Sequence, residues 1–181
     1  MTNDIASELA KLHQLSGAEF SRQVERIALR KEFHPLTTDE NILSVGGENS
    51  DDYQNLLMAA RKAVEFGFTV YMLPNPTETR TPDFILEKKG VYRTYDLKTV
   101  FGKSSVGDSL IDSIGQCNRI LLNIQVDYST RSLASEIKRY FEINDKAVEV
   151  LVFKGGRHFS IKRVTISRGD YFVLFKRAYE R

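Results

Sequence analysis

The sequence predicts an α/β fold in which a mixed central sheet is preceded by a short helical extension. Three observations predict this fold. Apolar residues recur at helical spacing between Asp51 and Glu65. Three short apolar runs with strand character come next. A second helical segment, Asp108 to Cys117, then precedes a further apolar run at 120–124. The predicted order of elements is therefore helix, three strands, helix, strand.

Two amphipathic segments begin the chain. The first runs from Ile5 to Leu15 and the second from Ala18 to Phe33, with Ser16-Gly17 between them. The stretch from His34 to Ser50 is rich in turn-forming residues and is predicted to be a loop or linker. We therefore predict a helical extension over residues 1–47 and a second domain over residues 48–181.

The middle of the chain is predicted to fold as a helix followed by an antiparallel hairpin. The helix from Asp51 to Glu65 ends at Gly67, a residue that readily adopts the left-handed conformation at a helix end. A strand over 69–73 follows, and then Asp83 to Leu86 and a run around Tyr95 to Thr99 form two more strands. Residues 87–90 are typical of the turn between those two.

The C-terminal part is predicted to contain a helix, a hairpin and a closing element. The helix spans Ser132 to Ile143, and the hairpin joins 148–153 to 158–164 through Gly155-Gly156. The tail from Asp170 to Tyr179 fits either a helix or a strand.

Composition indicates an ordinary folded domain. The 181 residues are 41% hydrophobic and 28% charged, and no apolar run approaches the roughly 20 residues needed to span a bilayer. The first residues lack the features of a signal peptide. A single cysteine, Cys117, excludes an internal disulfide framework and cysteine-rich zinc sites. These features predict a cytoplasmic protein with no membrane association.

Charge is distributed unevenly along the chain. Residues 1–100 carry 12 Lys and Arg against 15 Asp and Glu, whereas residues 101–181 carry 14 against 9. A basic half beside an acidic one suits a polyanionic ligand, although scattered solvated charge explains the pattern equally well.

Three charged residues on neighbouring strands are the main candidates for chemistry. Alternate residues of a strand face the same side, so Asp96 and Lys98 project together. Pairing with the preceding strand would bring Asp83 beside Asp96, where two carboxylates repel unless a cation or a proton lies between them. A hard divalent ion bound by carboxylates, a main-chain carbonyl and waters resolves that repulsion. The Lys98 ammonium would then lie beside the metal-bound water and a phosphate.

This pattern, Pro82-Asp83 followed by Asp96-Leu97-Lys98-Thr99, resembles the active-site signature of the PD-(D/E)XK nuclease superfamily. The resemblance covers roughly 51–126. It is greatest to the nuclease domains of bacterial polymorphic toxins, including tRNA-cleaving contact-dependent inhibition toxins. The Ser/Gly-rich loop at 102–107, Gln116 and the hydrophobic strand at 120–123 match further parts of their pattern.

The resemblance implies a metal-dependent endonuclease with a nuclease-like core. Mg²⁺ or Mn²⁺ would be held by Asp83, Asp96 and the Leu97 carbonyl, with Lys98 as a catalytic residue and Gln116 as a secondary contact. RNA, with tRNA favoured, would be the substrate, and an immunity or regulatory protein a partner. The residues expected to contact nucleic acid are Thr99, Lys103, Arg119, Lys162 and Arg163.

Two alternatives remain open from the sequence. Most of the superfamily cuts DNA, so a DNA endonuclease is one of them. The other is a degenerate nuclease fold that only binds nucleic acid or protein. The helix before the first strand supports the second alternative, because it carries Gln54 and Asn55 where related toxins usually have Glu. The intact Asp-x-Lys motif argues against it. The three histidines are expected to have structural roles.

Overall fold

The computed structural model describes residues 2–46, 52–74, 81–103 and 106–181. The predicted domain boundary at 47/48, the predicted helix start at Asp51 and the loop residues Ser104 and Ser105 lie outside this range. The chain forms two compact units, Met1–Asp96 and Leu97–Arg181, which divide within one strand.

The part of the first unit that the structure describes is a mixed sheet with three helices. The helices are α1 (Thr2–Lys11), α2 (Gly17–Ala28) and α3 (Tyr53–Glu65), and a single 3-10 turn, Leu12–Gln14, follows α1. The strands are β1 (His34–Pro35), β2 (Ile42–Ser44), β3 (Thr69–Met72), β4 (Phe84–Lys88) and β5 (Val91–Val100). Strands β2 and β3 are parallel, and the pairs β1–β2, β3–β4 and β4–β5 are antiparallel.

One face of this sheet shares a hydrophobic core with the N-terminal helices. Ile5 and Leu9 of α1 and Ile27 of α2 are buried in one cluster with Tyr71 of β3 and Ile85 of β4. Burying a side chain of this kind stabilises the fold by about 1.5–3 kcal/mol. The predicted helical extension therefore packs on the sheet, and its extent as a separate domain stays a prediction.

In the described residues of the second unit there are four helices and three further strands. The strands are β6 (Arg119–Ile124), β7 (Glu149–Lys154) and β8 (Arg157–Lys162), with β6–β7 parallel and β7–β8 antiparallel. The helices are α4 (Val106–Asp112), α5 (Thr130–Ile143), α6 (Arg163–Ile166) and α7 (Tyr171–Glu180). Apolar side chains of α4, α5 and α7 bury one face of these strands.

The α/β fold class and the predicted order of helix, three strands, helix and strand are confirmed by α3, β3, β4, β5, α4 and β6. The tail, left open between helix and strand, is the helix α7. Within the described ranges, no helix is long and apolar enough to cross a membrane.

The structure corrects two predicted elements. The stretch from His34 to Ser50 was predicted to be a loop, but it contributes β1 and β2 to the sheet. The second N-terminal helix ends at Ala28, five residues before Phe33, because the chain turns there to enter β1. The short strands were missed because two or three residues give too little alternation to detect.

Candidate active site

The β4–β5 hairpin brings the main chains of the two predicted metal-binding aspartates together. The turn at Lys89-Gly90 sets the register, in which Phe84 lies opposite Tyr95. Asp83 immediately precedes β4, and its backbone N–H donates to the Tyr95 carbonyl at 3.0 Å. Because Phe84 and Tyr95 face one side, the residues flanking them, Asp83 and Asp96, face the other. The hairpin geometry that the sequence predicts is present.

The two aspartates differ in burial. Asp96 is only 3% exposed, whereas Asp83 is half-buried. Burying a carboxylate costs several kcal/mol unless hydrogen bonds or a cation offset the lost hydration. A buried aspartate at this place in the hairpin therefore needs compensating interactions in the folded protein.

The donor set around this hairpin fits a hard divalent ion better than zinc. Within 2–46, 52–74, 81–103 and 106–181, no group of three or more His, Cys, Asp or Glu side chains could hold a metal. A metal held by Asp83 and Asp96 would therefore complete its coordination with neutral oxygens, such as the Leu97 carbonyl, and with waters. Mg²⁺ commonly binds in this way, through one or two carboxylates and several retained waters.

Helix α3 carries polar residues at the position where the sequence resemblance leads us to expect Glu. Gln54 is exposed, whereas Asn55 is half-buried and donates from Nδ2 to Asp52 at 2.9 Å. The Asn55 Oδ1 atom is buried and accepts no hydrogen bond from any residue that the structure describes. Of the two, Asn55 therefore offers the oxygen that is available to bind a water or a cation.

Lys98 and Thr99 follow on the last part of β5. The strand is unbroken from Val91 to Val100, so Lys98 is two residues after Asp96 on one strand, and Thr99 faces the opposite side from Lys98. Lys98 is half-buried. The Thr99 hydroxyl is buried and has no hydrogen-bond partner among the described residues. Nucleic acid bound on the Lys98 side of the strand would therefore not reach the Thr99 side chain, which faces the opposite side.

The sequence predicts that Gln116 lies on a helix, but in the structure it lies in the turn after helix α4. Helix α4 ends at Asp112, and the chain then turns through Ser113, whose hydroxyl donates to the Leu110 carbonyl at 2.6 Å. Gly115 continues the turn with a φ of +89°, a conformation that glycine adopts without strain. The Gln116 N–H donates to the Ser113 carbonyl at 3.0 Å. The catalytic role of the Gln116 side chain stays a prediction.

The remaining predicted contacts differ in their surroundings. Lys103 and Lys162 are exposed. Arg119 instead forms an ion pair with Glu149 across β6 and β7, with 3.5 Å between Nε and Oε2. Glu149 is only 4% exposed, and it also accepts a hydrogen bond from Ser160. Arg119 thus balances a buried carboxylate in addition to its predicted contact with nucleic acid.

Arg163 holds the end of a helix, a structural role that the sequence analysis missed. Its guanidinium donates to the carbonyls of Phe141, Asn144 and Ala147 at 2.9, 2.6 and 3.3 Å. The guanidinium carbon also lies 5.5 Å from the centre of the Phe141 ring. The last carbonyls of a helix have no partner within the helix, so Arg163 satisfies groups at the end of α5 and just beyond it. The partners lie 16 to 22 residues away in sequence, so no local pattern could indicate them.

Replacing Arg163 by alanine is expected to lower the free energy of unfolding by about 1–2 kcal/mol, because charged hydrogen bonds to helix carbonyls are lost. Arg139→Ala, at an exposed position on α5, is the matched control and should change stability by less than about 0.5 kcal/mol. Urea unfolding followed by circular dichroism measures both. Equal stability of the two variants would contradict the capping role.

No family model matches the chain, and no curated protein sequence matches it. Among solved structures, it is similar to a chain of the CdiA-CT/CdiI toxin and immunity complex from Burkholderia pseudomallei. The two chains are 18% identical, and the match covers 66% of this chain and 98% of the other, with a TM-score of 0.44.

Proposed function

We propose that this protein is a metal-dependent endonuclease of toxin type that hydrolyses phosphodiester bonds in RNA, with tRNA as the favoured substrate. The observation that carries the proposal is the β4–β5 hairpin. It joins Asp83 to the strand of Asp96 by a main-chain hydrogen bond and turns both residues to one side. The toxin type and the preference for RNA come from the sequence resemblance.

Asp83, Asp96 and the Leu97 carbonyl would hold Mg²⁺ or Mn²⁺. When bound, this ion supplies Lewis-acid stabilisation of charge on the scissile phosphate and lowers the pKa of a bound water. The burial of Asp96 would favour this chemistry, because a carboxylate shielded from water attracts a cation more strongly than one in water.

Lys98 would act on the phosphate and on the attacking water. Its ammonium donates hydrogen bonds and carries a positive charge, so it can orient the water and offset the negative charge that develops on the phosphate oxygens. Lys98 would reach the site because Asp96 and Lys98 are alternate residues of the same strand. Gln116 would be a secondary contact to water or phosphate.

A non-catalytic binding module is the second candidate, and the substitution at helix α3 is the observation that favours it. Gln54 and Asn55 are neutral where the resemblance leads us to expect a charged Glu, so a metal that used this position would be bound more weakly. DNA in place of RNA is a further candidate for the substrate. An immunity protein is the partner that the toxin resemblance implies.

Cleavage assays separate these candidates. Purified protein is incubated with total RNA and with plasmid DNA, in Mg²⁺, in Mn²⁺ and in EDTA, and the products are resolved on denaturing gels. The proposal expects RNA fragments that form only with a divalent metal. Metal-dependent nicking of plasmid alone would assign DNA as the substrate. Binding of RNA without cleavage in either metal would establish the binding module.

A further inference from the structure

An exposed aromatic ring lies among cations on the surface formed by α5 and α7. The Phe172 side chain is 44% exposed, and it lines two adjoining clefts of about 540 and 620 Å³. We call this surface the α5–α7 groove; Phe172 lies between its two clefts. Neither the predicted metal ligands nor Lys98 line it.

The groove is positively charged. Lys138, Arg163 and Arg168 line the first cleft, and Arg131 and Lys176 line the second. Each cleft has a single carboxylate among its described lining residues, that of Glu142 in the first and of Glu180 in the second. Five cations and two carboxylates make this surface attractive to a polyanion.

Two of the groove cations form exposed ion pairs, one of them with Asp170, a carboxylate that lines neither cleft. Arg168 pairs with Asp170 at 2.9 Å, and Lys176 pairs with Glu180 at 3.8 Å. The four side chains are 45–68% exposed, so water and dissolved ions screen both pairs. A phosphate that approaches these cations therefore competes with carboxylates whose attraction is already screened by solvent.

The aromatic ring is held on a fixed support. Tyr171, the preceding residue, is buried, and its hydroxyl donates to the Ala134 carbonyl of α5 at 2.8 Å. The two rings meet edge to face at 5.1 Å, and the Lys138 ammonium lies 5.9 Å from the centre of the Phe172 ring. Tyr179, near the other end of α7, donates to the Tyr128 carbonyl at 3.1 Å. Helix α7 is thus fixed to α5 and its vicinity at both ends, so Phe172 needs little ordering on binding.

We propose that the α5–α7 groove binds a single-stranded segment of the RNA substrate, with an unpaired base stacked on Phe172 and backbone phosphates on Lys138 and Lys176. This proposal rests on the proposed function for the identity of the substrate. Proteins that bind single-stranded nucleic acid combine a basic groove, which follows the phosphate backbone, with aromatic side chains on which the bases stack. A protein partner is less well suited, because Phe172 and Val173 expose far less apolar area than a stable protein interface needs.

Neighbouring residues on the same helices provide matched controls. Lys138 and Lys176 line the groove, whereas Arg139 and Arg177 follow them directly in sequence, are exposed and do not line it. The double variants Lys138→Gln/Lys176→Gln and Arg139→Gln/Arg177→Gln therefore remove the same charge from the same two helices. Phe172→Leu removes the aromatic face but keeps an apolar side chain.

Binding is measured with the full chain in EDTA, so that no cleavage occurs, by fluorescence anisotropy of an unpaired 12-nucleotide RNA over a range of salt concentrations. The groove double variant should weaken binding about tenfold and lower the slope of log K against log salt by about 1.4, two contacts at about 0.7 each. The control pair should lower the slope by less than about 0.5. Phe172→Leu should weaken binding to unpaired RNA by roughly 5- to 100-fold and leave binding to duplex RNA unchanged.

Three results would overturn the proposal. Equal weakening by the two double variants, with wild type binding normally, would reject the groove and leave the endonuclease intact. Failure of wild type to bind any RNA would reject the groove and the proposed RNA substrate together. Binding of poly-L-glutamate as tight as that of RNA, with the same sensitivity to the groove variants, would assign the surface to an acidic protein partner.

Discussion

Replacing Lys98 by alanine should reduce RNA cleavage by about 100- to 1000-fold while changing RNA affinity by less than about threefold. The ammonium is expected to act on charge that develops only as the phosphodiester bond breaks, so its loss affects the transition state far more than the bound substrate. One cation among the many of the C-terminal half contributes little to binding by comparison.

Single-turnover cleavage in Mn²⁺ and RNA binding in EDTA test this expectation. Lys146→Ala, which removes an exposed cation after α5, is the control and should leave the cleavage rate within about twofold of wild type. Lys98→Arg keeps the charge but not the compact ammonium, so it should recover only part of the rate. A Lys98→Ala variant that cleaves at the wild-type rate would remove Lys98 from the reaction.

The second large effect is expected at the two aspartates. Asp83→Asn and Asp96→Asn keep the size of the side chain but lose the charge, so each should reduce metal-dependent cleavage by at least about 100-fold. Both variants should fold, and in the absence of metal they should be as stable as wild type or more so. Removing one of two facing carboxylates relieves their repulsion, and a neutral side chain is also less costly to bury.

Cleavage rates in the presence of metal measure the first part of this prediction, and thermal unfolding in EDTA measures the second. Asp127→Asn, at an exposed position after β6, is the control and should alter neither. A loss of stability in Asp96→Asn, together with the loss of cleavage, would indicate that the carboxylate has a structural role and is not held ready for a cation.

The hairpin that carries the site could be predicted because its signals are local. The turn at Lys89-Gly90 and the apolar runs on either side determine both the pairing of β4 with β5 and the side to which Asp83 and Asp96 turn. The helix α3 and its end at Gly67, where φ is +84°, follow from equally local patterns.

The features that sequence analysis missed depend on contacts between distant residues. Strand β2 is short and gains its hydrogen bonds from β3, about 28 residues later. Arg163 is predicted from the sequence to contact nucleic acid because it is a basic residue late in the chain. Its carbonyl partners at the end of α5 are too distant in sequence to be predicted. The predicted helix extends beyond the observed end of α4 because Ile114 continues the apolar spacing of the helix past the turn at Ser113.

The central claim is that Asp83 and Asp96 together bind a divalent metal, and titration calorimetry with Mn²⁺ tests it most directly. Wild-type protein should bind Mn²⁺ with measurable heat, and binding should be lost in Asp83→Ala and in Asp96→Ala, while Asp127→Ala binds as wild type does. Unchanged Mn²⁺ affinity in both aspartate variants would contradict the metal site and, with it, the proposed endonuclease.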